Sequence, residues 1–91
     1  MKTIWKFVLD PRHLTLDMPQ GAVVLTAREQ RDEICIWAEV DPSAINEARF
    51  FDVFGTGHDL PTGMGLDRRY IGTAMLHGGS LVLHVYERTG I

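Results

Sequence analysis

Three of the four histidines sit where glycine shapes the backbone. His77 and His84 lie in LHGGSLVLHVYE, Leu76 to Glu87, on either side of a Gly-Gly pair, and His58 ends the GTGH stretch of Gly55, Thr56, Gly57 and His58. Imidazoles at such places can ligate a metal, carry a proton or hold an anion, and spacing decides among these. Gly78-Gly79 suits a two-residue turn with positive φ, which sets His77 opposite Ser80, Met75 opposite Val82, Thr73 opposite His84 and Ile71 opposite Tyr86. His77 and His84 then share a face. Four strand residues at about 3.3 Å each part the two rings by roughly 13 Å. Ligands of one ion must each come within about 2 Å of it, so this pair makes no metal site.

The GTGH stretch lacks the Lys-Ser/Thr ending of a P-loop and the following helix of a dinucleotide fold, so as a turn after a strand it needs no ligand. Its functional version is an anion nest, in which the backbone N–H groups of Gly55, Thr56 and Gly57 cradle a negative group and His58, Arg68 and Arg69 add charge. Hydrolysis would need a nucleophile with a base, or a cluster of metal ligands. His58-Asp59 and His77 supply at most three ligands from two loops, and no pair of carboxylates stands ready for acid-base work. Cys35, expected on the outer face beside Trp37, has nothing near it in sequence to depress its pKa and reads as inert. The residues therefore predict a protein that is not an enzyme, with no catalytic residue, metal or cofactor. Trp5, Trp37, Phe50, Phe54 and Tyr86 can line one side of a sheet, either as core or as a surface that another subunit or partner covers.

The elements that must position these residues are strands. Thr3 to Leu9 is β-branched and aromatic and stops at Asp10-Pro11, and His13 to Met18 alternates and stops at Pro19-Gln20-Gly21. A hairpin follows, with Glu29 to Asp32 as a four-residue loop. Arg28 is then expected opposite Glu33, Ala27 opposite Ile34 and Leu25 opposite Ile36. Asp41-Pro42 opens a single helical turn over PSAINEA with Asp41 as N-cap, and Arg49 to Phe54 makes another strand. A glycine-rich loop of about fifteen residues, Gly55 to Arg69, is of a length that is usually functional or mobile. Tyr70 to Leu76 and Ser80 to Glu87 form the last hairpin. One of its faces, Tyr70, Gly72, Ala74, Leu76, Leu81, Leu83 and Val85, is expected in the core. The other, Ile71, Thr73, Met75, His77, Val82, His84 and Tyr86, is expected outside.

The whole predicts an all-β single domain over residues 1–91, a small antiparallel barrel or two-layer sandwich of about seven short strands with one long Gly-rich loop. With 91 residues the core can be sufficient but not generous, so self-association would help it. Apolar residues at 45%, charged residues at 23% and a formal charge of −3 describe a globular chain. Its nine basic residues are scattered, which argues against duplex nucleic acid. One cysteine allows no internal disulfide and suits a reducing cytosol. Neither a secretory h-region nor an apolar run of about 20 residues occurs, so neither secretion nor a membrane is expected.

MKTIWKF at the start, L-x-M-P-x-G-A at Leu16 to Ala22, IWAEVDP at Ile36 to Pro42, FGTGHDLP at Phe54 to Pro61 and YIGTAMLHGGSLVLHVYE at Tyr70 to Glu87 together resemble a family of small bacteriophage and prophage proteins of unknown function. The resemblance is collinear over nearly the whole chain. It implies expression in the host bacterial cytoplasm during infection, and a kind of accessory gene that often acts by binding and blocking something of the host, including antiviral defences. It brings no catalytic residues. The reading preferred from sequence is a self-associating binding protein that uses the 55–69 loop and the His77/His84/Tyr86 face to hold a host protein or a small anionic nucleotide signal. A small phage structural or assembly subunit comes second and a small hydrolase third.

Overall fold

The structure is a computed structural model that describes residues 1–62 and 67–89. Seven strands run in chain order as β1 (Thr3–Leu9), β2 (Thr15–Pro19), β3 (Val23–Gln30), β4 (Glu33–Val40), β5 (Asn46–Gly55), β6 (Arg68–Leu76) and β7 (Leu81–Arg88), with a short 3-10 turn at His77–Gly79 before β7. They hydrogen-bond in the order β1-β4-β3-β6-β7-β5-β2. β1 and β2 follow one another through a tight turn closed by an Asp10–His13 bridge, yet they stand at opposite ends of that order. The sheet therefore curls into a nearly closed barrel, the small all-β barrel that the alternating strands predict. No helix among the described residues is long and apolar enough to cross a membrane.

One pairing is not antiparallel. β3 meets β6 in parallel through the single registered pair Ala27–Gly72, and this seam joins β1-β4-β3 to β6-β7-β5-β2. A Cβ on Gly72 would lie 2.1 Å from the Ala27 carbonyl oxygen, so the seam requires glycine.

The β3–β4 hairpin corrects the expected register. Arg31 and Asp32, both at positive φ, make a two-residue turn in place of the four-residue loop, and Gln30 pairs with Glu33. The Asp32 N–H donates to Glu29 Oε2 at 2.7 Å, while the Asp32 carboxylate accepts the His77 N–H at 2.6 Å, which helps hold this conformation. Arg28 lies opposite Cys35 and not Glu33, and Ala27 lies opposite Ile36. The shift is by two residues, so Ala27, Ile34 and Ile36 still point into the core. Beyond Thr26 a bulge at Leu25 overturns the alternation, leaving Leu25 48% exposed and Val24 only 2% exposed.

The β6–β7 hairpin keeps the expected pairs Met75–Val82 and Thr73–His84. His77 joins Gly78 and Gly79 at positive φ, and the Ser80 N–H reaches the His77 carbonyl at 3.3 Å. Past Gly72 a bulge at Ile71 corrects the rest, because Tyr70 pairs with Tyr86 on the outer face, 53% exposed, and Ile71 turns inward to 8%. The PSAINEA stretch is not helical. Asp41 Oδ1 accepts both the Ser43 N–H at 3.0 Å and the Ser43 hydroxyl, and after one turn the chain enters β5, whose Asn46 to Phe50 pairs with β2.

The core gathers Leu9, Met18, Val24, Ile34, Ile36, Val40, Phe51 and Val85. Cys35 keeps its expected outer face, paired with Val8 and Arg28, but is covered there and only 1% exposed. It sits in the strand between β1 and β3, its Sγ 4.0 Å from the Gln30 carbonyl, and burial pushes its thiol pKa up. At one end of the core lies Glu87, whose carboxylate accepts Arg49 Nε at 2.8 Å and Arg69 Nη2 at 3.4 Å. Arg49 also caps the Ala22 carbonyl at 2.8 Å, so the buried charge is paired and hydrogen-bonded.

Candidate functional site

Alternation along β5 and β7 puts Phe51, Val53, Val85 and Glu87 inside and presents Asp52, Phe54, His84 and Tyr86 outside, where β6 adds Tyr70 and Thr73. Three rings form an edge-to-face row on this face. Phe54 and Tyr86 lie 5.8 Å apart at 71°, and Tyr86 and Tyr70 lie 5.5 Å apart at 68°. Beside them runs a chain of hydroxyls and an imidazole. Thr56 Oγ1 is 2.7 Å from His84 Nε2, Thr73 Oγ1 is 3.2 Å from His84 Nδ1, and the Tyr70 hydroxyl is hydrogen-bonded to Thr73. The His84 ring is thus fixed from both nitrogens.

The GTGH residues rise from the end of β5. The His58 N–H donates to the Gly55 carbonyl at 3.1 Å, Gly57 takes φ +87°, and the His58 ring lies so close over Gly55 that a Cβ there would come within 2.9 Å of it. Glycine at 55 is what lets the imidazole fold back. The result is a shallow recess of about 280 Å³ lined by Phe54, Thr56, His58, Leu60, His84 and Tyr86 together with Gly55 and Gly57. Its volume is just below the roughly 300 Å³ at which pockets for whole small molecules begin. It has room for one ring or one side chain of something larger.

The arginines divide. Arg68 lays its guanidinium 5.3 Å from the Phe54 ring centroid, donates through Nη1 to the Pro61 carbonyl at 2.8 Å and stands 3.5 Å from Asp52. Only 11% of its side chain is exposed. Asp52 also takes a bidentate pair from Arg88 at 3.0 and 3.1 Å, which raises the Arg88 pKa. Arg69, the next residue on β6, points the opposite way, to Glu87 and to the Val24 carbonyl at 3.2 Å.

The structure therefore brings together Gly55, Thr56, Gly57, His58, Arg68, His84 and Tyr86, and leaves out Arg69 and His77. Arg69 is removed by the alternation of β6. His77 is held by Asp32, with Nδ1 3.1 Å from Oδ2, at the turn end of the hairpin. The expected nest with both arginines does not assemble. Tyr70, Thr73, Asp52 and Leu60 join the site without having been singled out. Asp52 was legible from its spacing to Phe54, whereas Tyr70 was hidden by the bulge.

A threonine hydroxyl on an imidazole resembles half of a nucleophile-base pair. The second nitrogen of His84 meets Thr73 where such a pair would want a carboxylate to orient the ring and balance an imidazolium. Among the described residues no group of three His, Cys, Asp or Glu side chains is arranged to hold a metal ion.

A family described as a domain of unknown function (DUF7352) matches residues 1–90. No curated protein and no solved structure matches the chain. With the match running from the first residue of the chain to the end of the last hairpin, the chain belongs to the DUF7352 family.

Proposed function

We propose that the protein is a non-enzymatic binding protein whose outer β5-β7-β6 face docks onto the surface of another protein, a host component met in the bacterial cytoplasm when a phage expresses the chain. The observation that carries this reading is the row Phe54–Tyr86–Tyr70, exposed at Tyr70 and fixed in geometry by edge-to-face contacts and the Thr56–His84–Thr73 chain. Tyrosines already ordered lose little entropy on binding; Tyr, Phe, Met and Arg are enriched at protein interfaces, and Tyr and Arg are among the residues that concentrate binding energy there. Met75, also exposed, extends the face along β6. Blocking an antiviral defence protein is the use that fits a small accessory phage gene. A protein partner suits the face better than an anionic nucleotide, because Arg68 is already paired with Asp52 and Arg69 with Glu87.

The test is site-specific photocrosslinking in host cells from position 70 and, as a control, from exposed position 17 on β2. A discrete host protein joined from position 70, absent from position 17 and lost when Tyr86→Ser is added, is the expected result. Equal patterns from both positions, or adducts only between copies of the chain in a large regular assembly, would overturn it, the latter in favour of an assembly subunit.

A further inference from the structure

The barrel is open along one line, and its two lips differ. β2 is a five-residue edge ending in Pro19, a length and a residue that discourage further pairing. β1 is seven residues long, pairs with β4 in unbroken register from Thr3–Val40 to Leu9–Ile34, and contains neither proline nor bulge. Its other edge has no strand beside it among the described residues. Trp5 pairs with fully buried Ala38 and so points inward, yet it is 40% exposed, because the opening leaves its ring uncovered. On the outer side of the same strand Ile4 is 57% exposed.

We propose that this edge is completed by β1 of a second copy, paired antiparallel about a two-fold axis at Trp5. Charge permits a second copy and selects its register. Pairing centred on Trp5 sets Lys2 against Val8, Thr3 against Phe7, Ile4 against Lys6 and Trp5 against Trp5, and no like charges meet. Moving the centre one residue, to Lys6 or to Ile4, puts Lys6 opposite Lys6 or Lys2 opposite Lys6. A register centred on an integral residue also keeps inward side chains on one side, so the two tryptophans cover each other's openings and the two sheets become continuous. The aromatic face is carried by β5, β7 and β6, none of which takes part in the β1–β1 pairing, so the dimer stands whether or not that face binds a partner.

Sedimentation equilibrium of the full chain should give a dimer of the 10.3 kDa protomer. Hydrogen exchange should show the β1 amides gaining protection as concentration rises. Ile4→Lys sets like charges across both Ile4/Lys6 pairs and should raise the dimer Kd at least about tenfold, while Ile4→Glu, which adds two opposite-charge pairs, should not. Circular dichroism of both variants confirms that this exposed position leaves the fold intact. Three results would each overturn the proposal: a wild-type chain that stays monomeric to about 100 μM, which means a Kd weaker than roughly −5.5 kcal/mol of association, equal weakening by both variants, or a dimer in which β1 gains no protection.

Discussion

The β3–β4 and β6–β7 hairpins carry the same device to opposite effect. Each has a tight turn of positive-φ residues and each carries one bulge, on the strand that meets the other at the Ala27–Gly72 seam. In β3 the extra residue, Leu25, is turned out and Val24 takes its place in the core. In β6 the extra residue, Ile71, is taken in, and Tyr70 is released to the surface. Both bulges let a strand serve two neighbours, antiparallel on one side and parallel on the other, without breaking the core. The first only repacks the barrel, whereas the second delivers an aromatic ring to the candidate site.

The sharpest way to break this arrangement is at the seam. Gly72→Ala drives a Cβ into the Ala27 carbonyl and should cost about 3–5 kcal/mol or prevent folding, as read by urea denaturation. A loss under about 1 kcal/mol would mean that the two halves part cheaply there. The β3 bulge is tested next by a pair of truncations. Val24→Ala should cost about 2 kcal/mol through the cavity it leaves, and Leu25→Ala less than about 0.5 kcal/mol. Strict alternation demands the reverse order, so the sign of the difference decides. A smaller effect than that of Val24→Ala is expected at the contact between the two turns. Asp32→Ala removes the acceptor of the His77 N–H and imidazole at an exposed place, and should cost about 1 kcal/mol. If the thermal midpoint did not move, the two turns would be positioned by their own glycines and left-handed residues alone.

The same two bulges mark where sequence reasoning stops. Close to each turn, pattern and turn chemistry act over a few residues, and so Thr73–His84 and Met75–Val82 could be read directly from Gly78-Gly79. The inward set of β4 was equally plain, because an error of two residues in register preserves parity. Leu25 and Ile71 carry no local signal of their own. Their bulges exist because strands distant in sequence must approach at Gly72, and that demand appears only once the barrel closes. Arg68 and Arg69 show the same limit for the site. Adjacent letters suggest a common anion grip, but a strand sends neighbours to opposite faces, one to Phe54 and Asp52, the other to Glu87. Cys35 escaped for a related reason, since a small side chain on a strand flanked on both sides is covered whichever face it occupies.

The Ala27–Gly72 contact also bears on how the chain reaches its native state. All of β4 and β5 lies between these two residues, so the contact forms only after a long segment has been brought into place, whereas each hairpin needs only its own turn. The hairpins can assemble early and independently. Closure of the barrel requires two ribbons distant in sequence to meet where Gly72 admits the Ala27 backbone, so folding is expected to be slower than the formation of either hairpin, with the strand edges uncovered until the seam forms.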